Sequence, residues 1–479
     1  MKLSSVLSGC LAFGPLTVFA APQSGLPSRT ENLESRGLLR GIIPGLDGVV
    51  DGAVDGIVVN LVKGLLGQIH NAIEAGDRDG ILNAVKKLVP TATPTSVEGA
   101  HKVIEAVAKA KHTNILEYSS HLIANGIISG SVGDLLQYAQ GVNSDKNGYA
   151  NSNPDVPTSV YPKAACDATY SVPEDSLRSA IHIPDSFTYG NKTPVILLPG
   201  TGSTGYLSFS GNFIPLLSNT DWADPVWVNV PGQLLEDVQV NGEYAAYAIN
   251  YIAALTGRDV TVVAWSQGNL DAQWALKYWP STRLVTSDHI AISADYKGTV
   301  IFDVLEPTGL LNTPATVQQG TKTQLIKTLR SNGGDSGYVP TTTIFSGFFD
   351  EVVQPMSGKE ASAYLLDARN VGVTNYEVQK VCPGQPAGTL YTHEGTLYNP
   401  LAFALLKDAM MHDGPGQISR LNLGEVCSTF LAPGLGLDDL LATENSILLG
   451  GFAMFLYQPK PFREPSIKSY ATEEACVDE

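Results

Sequence analysis

The sequence predicts an α/β fold: a mostly parallel central sheet flanked by helices, with a small helical segment ahead of it. Three observations carry this. From residue 166 onward, short β-branched and apolar runs alternate with helical patterns. Several runs end directly at Gly-rich or acidic loops, as expected at the carboxyl ends of parallel strands. Residues 41–141 show helical spacing instead, with few aromatics.

The chain begins with Lys2, the apolar run Leu11 to Phe19, and small residues at Ala20 and Ala21. This reads as a secretory signal over residues 1–20; the run is too short for a membrane anchor. Residues 21–40 are polar, carry Arg29, Arg36 and Arg40, and read as a flexible pro-segment. In residues 41–141, Val50, Val54, Ile57 and Leu61 recur at helix spacing, as do Ile81, Val85 and Leu88. Asp47, Asp51 and Asp55 form a stripe that reads as a solvated helix face, because no His or Cys accompanies them. His70, His101, His112 and His121 read as scattered surface or core histidines. Residues 142–165, rich in Asn, Ser, Pro and Asp, form a linker to a domain at 166–479.

In that domain, strands are expected at 194–199, 226–230, 259–265, 289–293, 341–346 and 373–379, with helices at 236–255, 269–279 and 400–411. Ile447 to Tyr457 is apolar but short, and reads as a core or substrate-facing helix. No segment after the signal reaches spanning length free of charge.

The 479 residues are 43% hydrophobic, enough for a large core. The formal charge of −17 argues against nucleic acid and against anionic membranes, but leaves an uncharged lipid–water interface open. Cys10 leaves with the signal. Cys166, Cys382, Cys427 and Cys476 remain and allow three pairings in an oxidising compartment. Asn191-Lys192-Thr193 is a candidate glycosylation site.

The most informative stretch is Asp259 to Asn269. A buried strand runs into Ser266, Gln267 and Gly268, then a helix. That is the layout of a nucleophile elbow, with Ala264 in place of the usual first Gly. A side chain at Gly268 would collide with neighbouring backbone. The bland alternative is a turn serine capping the helix. A serine nucleophile needs a base, and the base an orienting carboxylate. His289 starts a strand and points away, and His412 ends a helix. His393 lies in a loop before a helix, where the base belongs. Asp350 follows a strand directly and is the candidate acid, with Asp295 as runner-up and Glu351 pointing elsewhere. The order Ser266, Asp350, His393 is that of α/β-hydrolases. The backbone N–H of Gln267 and the loop Gly200-Thr201-Gly202 are placed to bind an oxyanion. That loop lacks the Gly-Lys-Ser/Thr ending of a phosphate loop.

Several motifs then resemble the Candida antarctica lipase B family. They are Pro194 to Gly205, Trp265 to Gly268, Asp295 to Val300, Val317-Gln318-Gln319, Asp350 to Pro355 and His393-Glu394-Gly395, in the family's order across residues 170–470. The resemblance implies a secreted serine lipase or esterase. Ser266 would be nucleophile, His393 base, Asp350 its partner, and Thr201 with Gln267 the oxyanion hole. It further implies Trp265 at the floor of the alcohol pocket, Asp295 and Gln319 on the acyl side, and residues 302–316 as a mobile rim. Cys382 and Cys427 match one family disulfide. Cys476 matches half of another whose partner is missing, so it is paired here with Cys166. Asn269 departs from the family's Gly, and residues 41–141 lie outside the resemblance: a pro-domain, a cap or a lipid-contacting element. The expected substrate is an acylglycerol or other lipophilic ester, cleaved through an acyl-serine without cofactor or metal. An acyltransferase would share that intermediate. An inactive binding protein would need a broken triad, and none is visible.

Overall fold

The computed structural model describes residues 52–110, 112, 114–141, 145–304, 309–347 and 349–472. The expected signal, the expected pro-segment, Asp47 and Asp51 of the acidic stripe, and Cys476 lie outside the described residues, as do residues 305–308 of the expected pocket rim.

Seven strands form one sheet in the order β1-β3-β2-β4-β5-β6-β7. They are β1 (Ile181–His182), β2 (Thr193–Leu198), β3 (Ala223–Val228), β4 (Val260–Trp265), β5 (Thr286–Ile292), β6 (Thr341–Phe345) and β7 (Val373–Glu377). Only β1 runs antiparallel, along β3. The apolar runs are continuous because both faces are covered: every residue of β3, β4 and β6 is buried. Parallel pairing brings Leu198, Trp265, Ile292 and Phe345, the last residues of four adjacent strands, to one edge. The sequence-expected helices lie close to their places. One expectation fails: His289 does not start its strand. It sits inside β5, fully buried, because Thr286 to Asp288 extend the strand by three residues.

Ahead of the sheet come α1 (Gly52–Ala75), α2 (Arg78–Val85), α3 (Val97–Lys109), α4 (Ile115–Ala124) and α5 (Val132–Ala139). Within the sheet domain, α6 (Val238–Thr256) and α7 (Gly268–Tyr278) lie near the centre, α8 (Pro400–Met411) lies by β5 and β6, and α9 (Leu437–Leu456) follows late in the chain. Side-chain caps start the N-terminal helices: Ser96 for α3, Asn114 for α4 and Ser131 for α5.

The N-terminal helices do not form a separate core. Ile69, Leu116 and Leu122 share one apolar cluster with Leu448, Phe452 and Phe455 of α9. Two reciprocal hydrogen bonds join Ser129 to Asn445, at 3.0 and 2.8 Å. Arg78 lies over Phe455, and His101 packs 4.1 Å from the Phe430 ring. The linker is anchored too, since Trp227 and Asn229 donate to the Lys146 carbonyl at 2.9 Å. Helix α9 is long and apolar enough to cross a membrane, yet 78% of it is buried in this fold. The N-terminal histidines are not scattered as expected: α1, α4 and the turn before α4 gather His70, His112 and His121 around Glu117.

Candidate active site

Ser266 follows β4 at φ 54°, a left-handed conformation that costs a non-glycine residue energy. The turn persists because its surroundings hold it. The Ser266 N–H donates to Ile292 O at 3.0 Å. Asn269, where the family tends to have Gly, donates from Nδ2 to three carbonyls, Ala264, Ser266 and Ile292, at 3.1 to 3.2 Å. Its Oδ1 then accepts from Nε2 of His289 at 3.1 Å. Burial pushes His289 down to about 3, so it is a neutral strut. No side chain caps the N-terminus of α7, so Ser266 is not acting as a helix cap. Gly268 has no room for more: a Cβ there would lie 2.5 Å from Pro199 O and 2.6 Å from Leu198 O.

His393 arrives from the loop before α8 and is fully enclosed. Its Nδ1 lies 2.8 Å from Asp350 Oδ2. Asp350 is held in turn, with Oδ1 accepting from the N–H groups of Val352 and Val353 at 3.0 and 2.7 Å. The His393 carbonyl accepts from Trp265 Nε1 at 3.2 Å and from Ser293 Oγ at 3.1 Å. These bonds lay the histidine loop against the elbow. Nε2 of His393 is buried without a hydrogen-bond partner among the described residues, while Nδ1 is engaged. Burial works against a charged ring here, but Asp350, helped by Glu351 and Asp295, holds the His393 pKa above its ordinary value.

Thr201 and Gln267 also meet. Thr201 Oγ1 donates to Gln267 Oε1 at 2.7 Å, and Gln319 Nε2 donates to the same oxygen at 2.9 Å. Gln267 Nε2 donates to Leu234 O at 3.0 Å. The oxyanion-loop candidate is pressed against α9, since a Cβ on Gly202, at φ +75°, would lie 2.6 Å from Gly450 Cα. Beside this loop is a cleft of about 470 Å³, walled by Tyr138, Thr204, Leu207, Gln233, Leu456 and Tyr457. Asp295, the runner-up acid, does not hold His393. Among the described residues, both its oxygens are buried without a partner beyond its own backbone N–H, and burial raises it to about 7. Trp265 is buried at the end of β4, and Asn191 is exposed in the turn before β2. Cys382 and Cys427 form a disulfide. Cys166 is exposed, and its expected partner is outside the described residues.

Sequence reasoning missed a buried acidic group behind the histidine. Glu351 points differently from Asp350, away from the His393 ring, but its Oε2 accepts from the His393 backbone N–H at 3.0 Å. Glu394 lies between Glu351 and Glu444, and among the described residues neither of its oxygens meets a donor group. Only a proton on a carboxyl can join such neighbours, and burial raises Glu394 well above the usual range and Glu351 to about 7. Tyr398 donates to Glu444 Oε1 at 2.8 Å. Tyr118 of α4 closes the far side, its hydroxyl buried near all three carboxyls. The consecutive pairs Asp350-Glu351 and His393-Glu394 were the available signal.

A mostly parallel sheet whose central strand ends in a strained serine, with a buried Asp–His pair lying against it, defines an α/β-hydrolase. Comparison with known proteins narrows this. No family model matches the chain. It is 32% identical to Lipase B of Pseudozyma antarctica over 311 residues, covering 64% of this chain and 86% of the relative. It is also similar to the crystal structure of Aspergillus fumigatus lipase B, with 46% identity and a TM-score of 0.76. That match spans 86% of this chain and 99% of the other. The chain belongs to the lipase B family, and so is an ester hydrolase.

Proposed function

We propose that the chain hydrolyses lipophilic carboxylic esters, acylglycerols among them, through an acyl intermediate on Ser266. The observation that carries this is the strained Ser266 turn beside a His393 whose Nδ1 is fixed by Asp350 and whose Nε2 has no partner. With Asp350 accepting from Nδ1–H, Nε2 keeps its lone pair and can take the serine proton. The Ser266 oxygen attacks the ester carbonyl, and the N–H groups of Thr201 and Gln267, with the Thr201 hydroxyl turned from Gln267 Oε1, receive the oxyanion. His393 returns the proton to the leaving alcohol, and water repeats the sequence on the acyl-enzyme. Losing one such donor costs about 3 kcal/mol of transition-state stabilisation. Trp265 floors the alcohol side, and Asp295 with Gln319 bounds the acyl side. Secretion, and glycosylation at Asn191, belong to the same reading. The helical segment 52–139 acts as a cover bound to α9 rather than a detachable pro-domain, because its core is shared with that helix.

The test is phosphonate labelling followed by intact-mass measurement, on the parent and on Ser266→Ala, with hydrolysis of short- and long-chain p-nitrophenyl esters. One adduct, lost with activity in Ser266→Ala, is expected. An adduct that persists in the variant would refute the assignment.

A further inference from the structure

The N-terminal cover carries a cluster that ester hydrolysis does not use. Glu117 and His121 lie one turn apart on α4, at the i, i+4 spacing that puts two ligands on one helix face. His112 comes from the turn between α3 and α4. One ligand atom from each of these three residues lies within 4.8 Å of the others. The His112 and His121 rings are 4.9 Å apart. His70 of α1 approaches from outside, with Nδ1 3.1 Å from Glu117 Oε1.

The tautomer of His112 follows from its surroundings. Its Nε2 lies 2.8 Å from the Val107 carbonyl, which can only accept, so Nε2 carries the hydrogen. The lone pair is then on Nδ1, which is buried without a hydrogen-bond partner among the described residues. An acceptor left so is costly. A histidine that donates one N–H to a backbone carbonyl and presents its other nitrogen is the usual arrangement of a metal ligand.

We propose that His112, Glu117 and His121 bind one divalent ion of the zinc class, with His70 within reach as a fourth ligand. Two or three imidazoles with one carboxylate suit zinc rather than calcium or magnesium, which prefer oxygen alone. Tetrahedral bonds of about 2.1 Å place ligand atoms about 3.4 Å apart, so each side chain closes in by about 1 Å or less. The ion is structural. It ties together α1, the turn after α3, and α4. The His112 ring is also 5.5 Å from the ring of Tyr118, the residue that closes the acidic group behind His393.

The experiment uses tag-free, full-length protein, stripped with a chelator and dialysed, then titrated with Zn²⁺ by calorimetry near neutral pH. Metal content and Tm are measured in parallel. One equivalent and a rise in Tm are expected, with affinity at least about tenfold weaker in His121→Gln and in Glu117→Gln. His70→Gln, on the more exposed side, is expected to bind one equivalent more weakly and serves if the other variants do not fold. No bound zinc in the parent, or binding unchanged in the variants, would overturn the proposal.

Discussion

Replacing Gly268 with alanine tests the elbow through a single methyl group. The added Cβ would lie 2.5 Å from Pro199 O and 2.6 Å from Leu198 O, both backbone atoms at the end of β2. A comfortable carbon–oxygen contact is about 3.3 Å, so the chain must part by about 0.7 Å. Neither oxygen can swing away like a side chain, because β2 is paired with β3 on one side and β4 on the other. Overpacking of this kind costs about 1–3 kcal/mol. With an unfolding entropy near 0.9 kcal/mol/K for a chain of this size, Tm should drop by about 1–3 °C. Activity should suffer more. A shift approaching 1 Å at the proposed nucleophile, Ser266, is worth about 100-fold in rate. Differential scanning calorimetry and kcat/KM on a soluble ester read both. Gly67→Ala is the comparison: the same methyl, added on an exposed part of α1 with nothing within 4 Å, should stabilise by about 0.5–1 kcal/mol. If Gly268→Ala matched its parent in both Tm and kcat/KM, the close approach of the elbow to β2 would be wrong.

Asp350→Asn should lower kcat by about 10³–10⁴, and its acid limb should move to lower pH, because the aspartate is what raises His393. An unchanged limb would remove Asp350 as the partner. Asp295 takes up a proton on folding, its pKa rising from 3.8 to about 7, so stability falls as pH climbs through that window. Asp295→Asn removes the loss: its stability should gain on the parent's across the window by at most roughly 4 kcal/mol, about 4–5 °C in Tm, and the gain should stay level above it. A Tm difference independent of pH would refute the buried carboxyl. The Cys382–Cys427 link closes a loop with a sequence separation of 45, which chain entropy values at about 4 kcal/mol. The double serine variant should therefore unfold about 4 °C lower by calorimetry, and an unchanged Tm would count against that figure.

The strands were legible because both faces of this sheet are covered, which writes them as continuous apolar runs. Ser266, Gly268, Asp350 and His393 were legible because each sits where a strand ends or a helix begins, and a chain of known order places such residues at one edge. Glu351, Glu394 and Glu444 were not. Their meaning is a mutual approach of loop and helix residues up to 93 positions apart, and no local spacing encodes it. The same holds for His289, whose role depends on Asn269 lying beneath it across β4 and β5. His70, His112 and His121 looked scattered because one helix turn and one helix packing, not sequence distance, bring them to Glu117.

By itself the sequence determined the alternation of strands and helices, the elbow, and the identity and order of the residues that meet there. These depend on local steric and hydrophobic pattern, which a linear chain records. Only the tertiary structure decided that the N-terminal helices share a core with α9, that three carboxyls lie behind His393, and that His70, His112 and His121 gather around Glu117. Those outcomes rest on packing between distant segments, where burial sets the cost of each charge and geometry selects its partner.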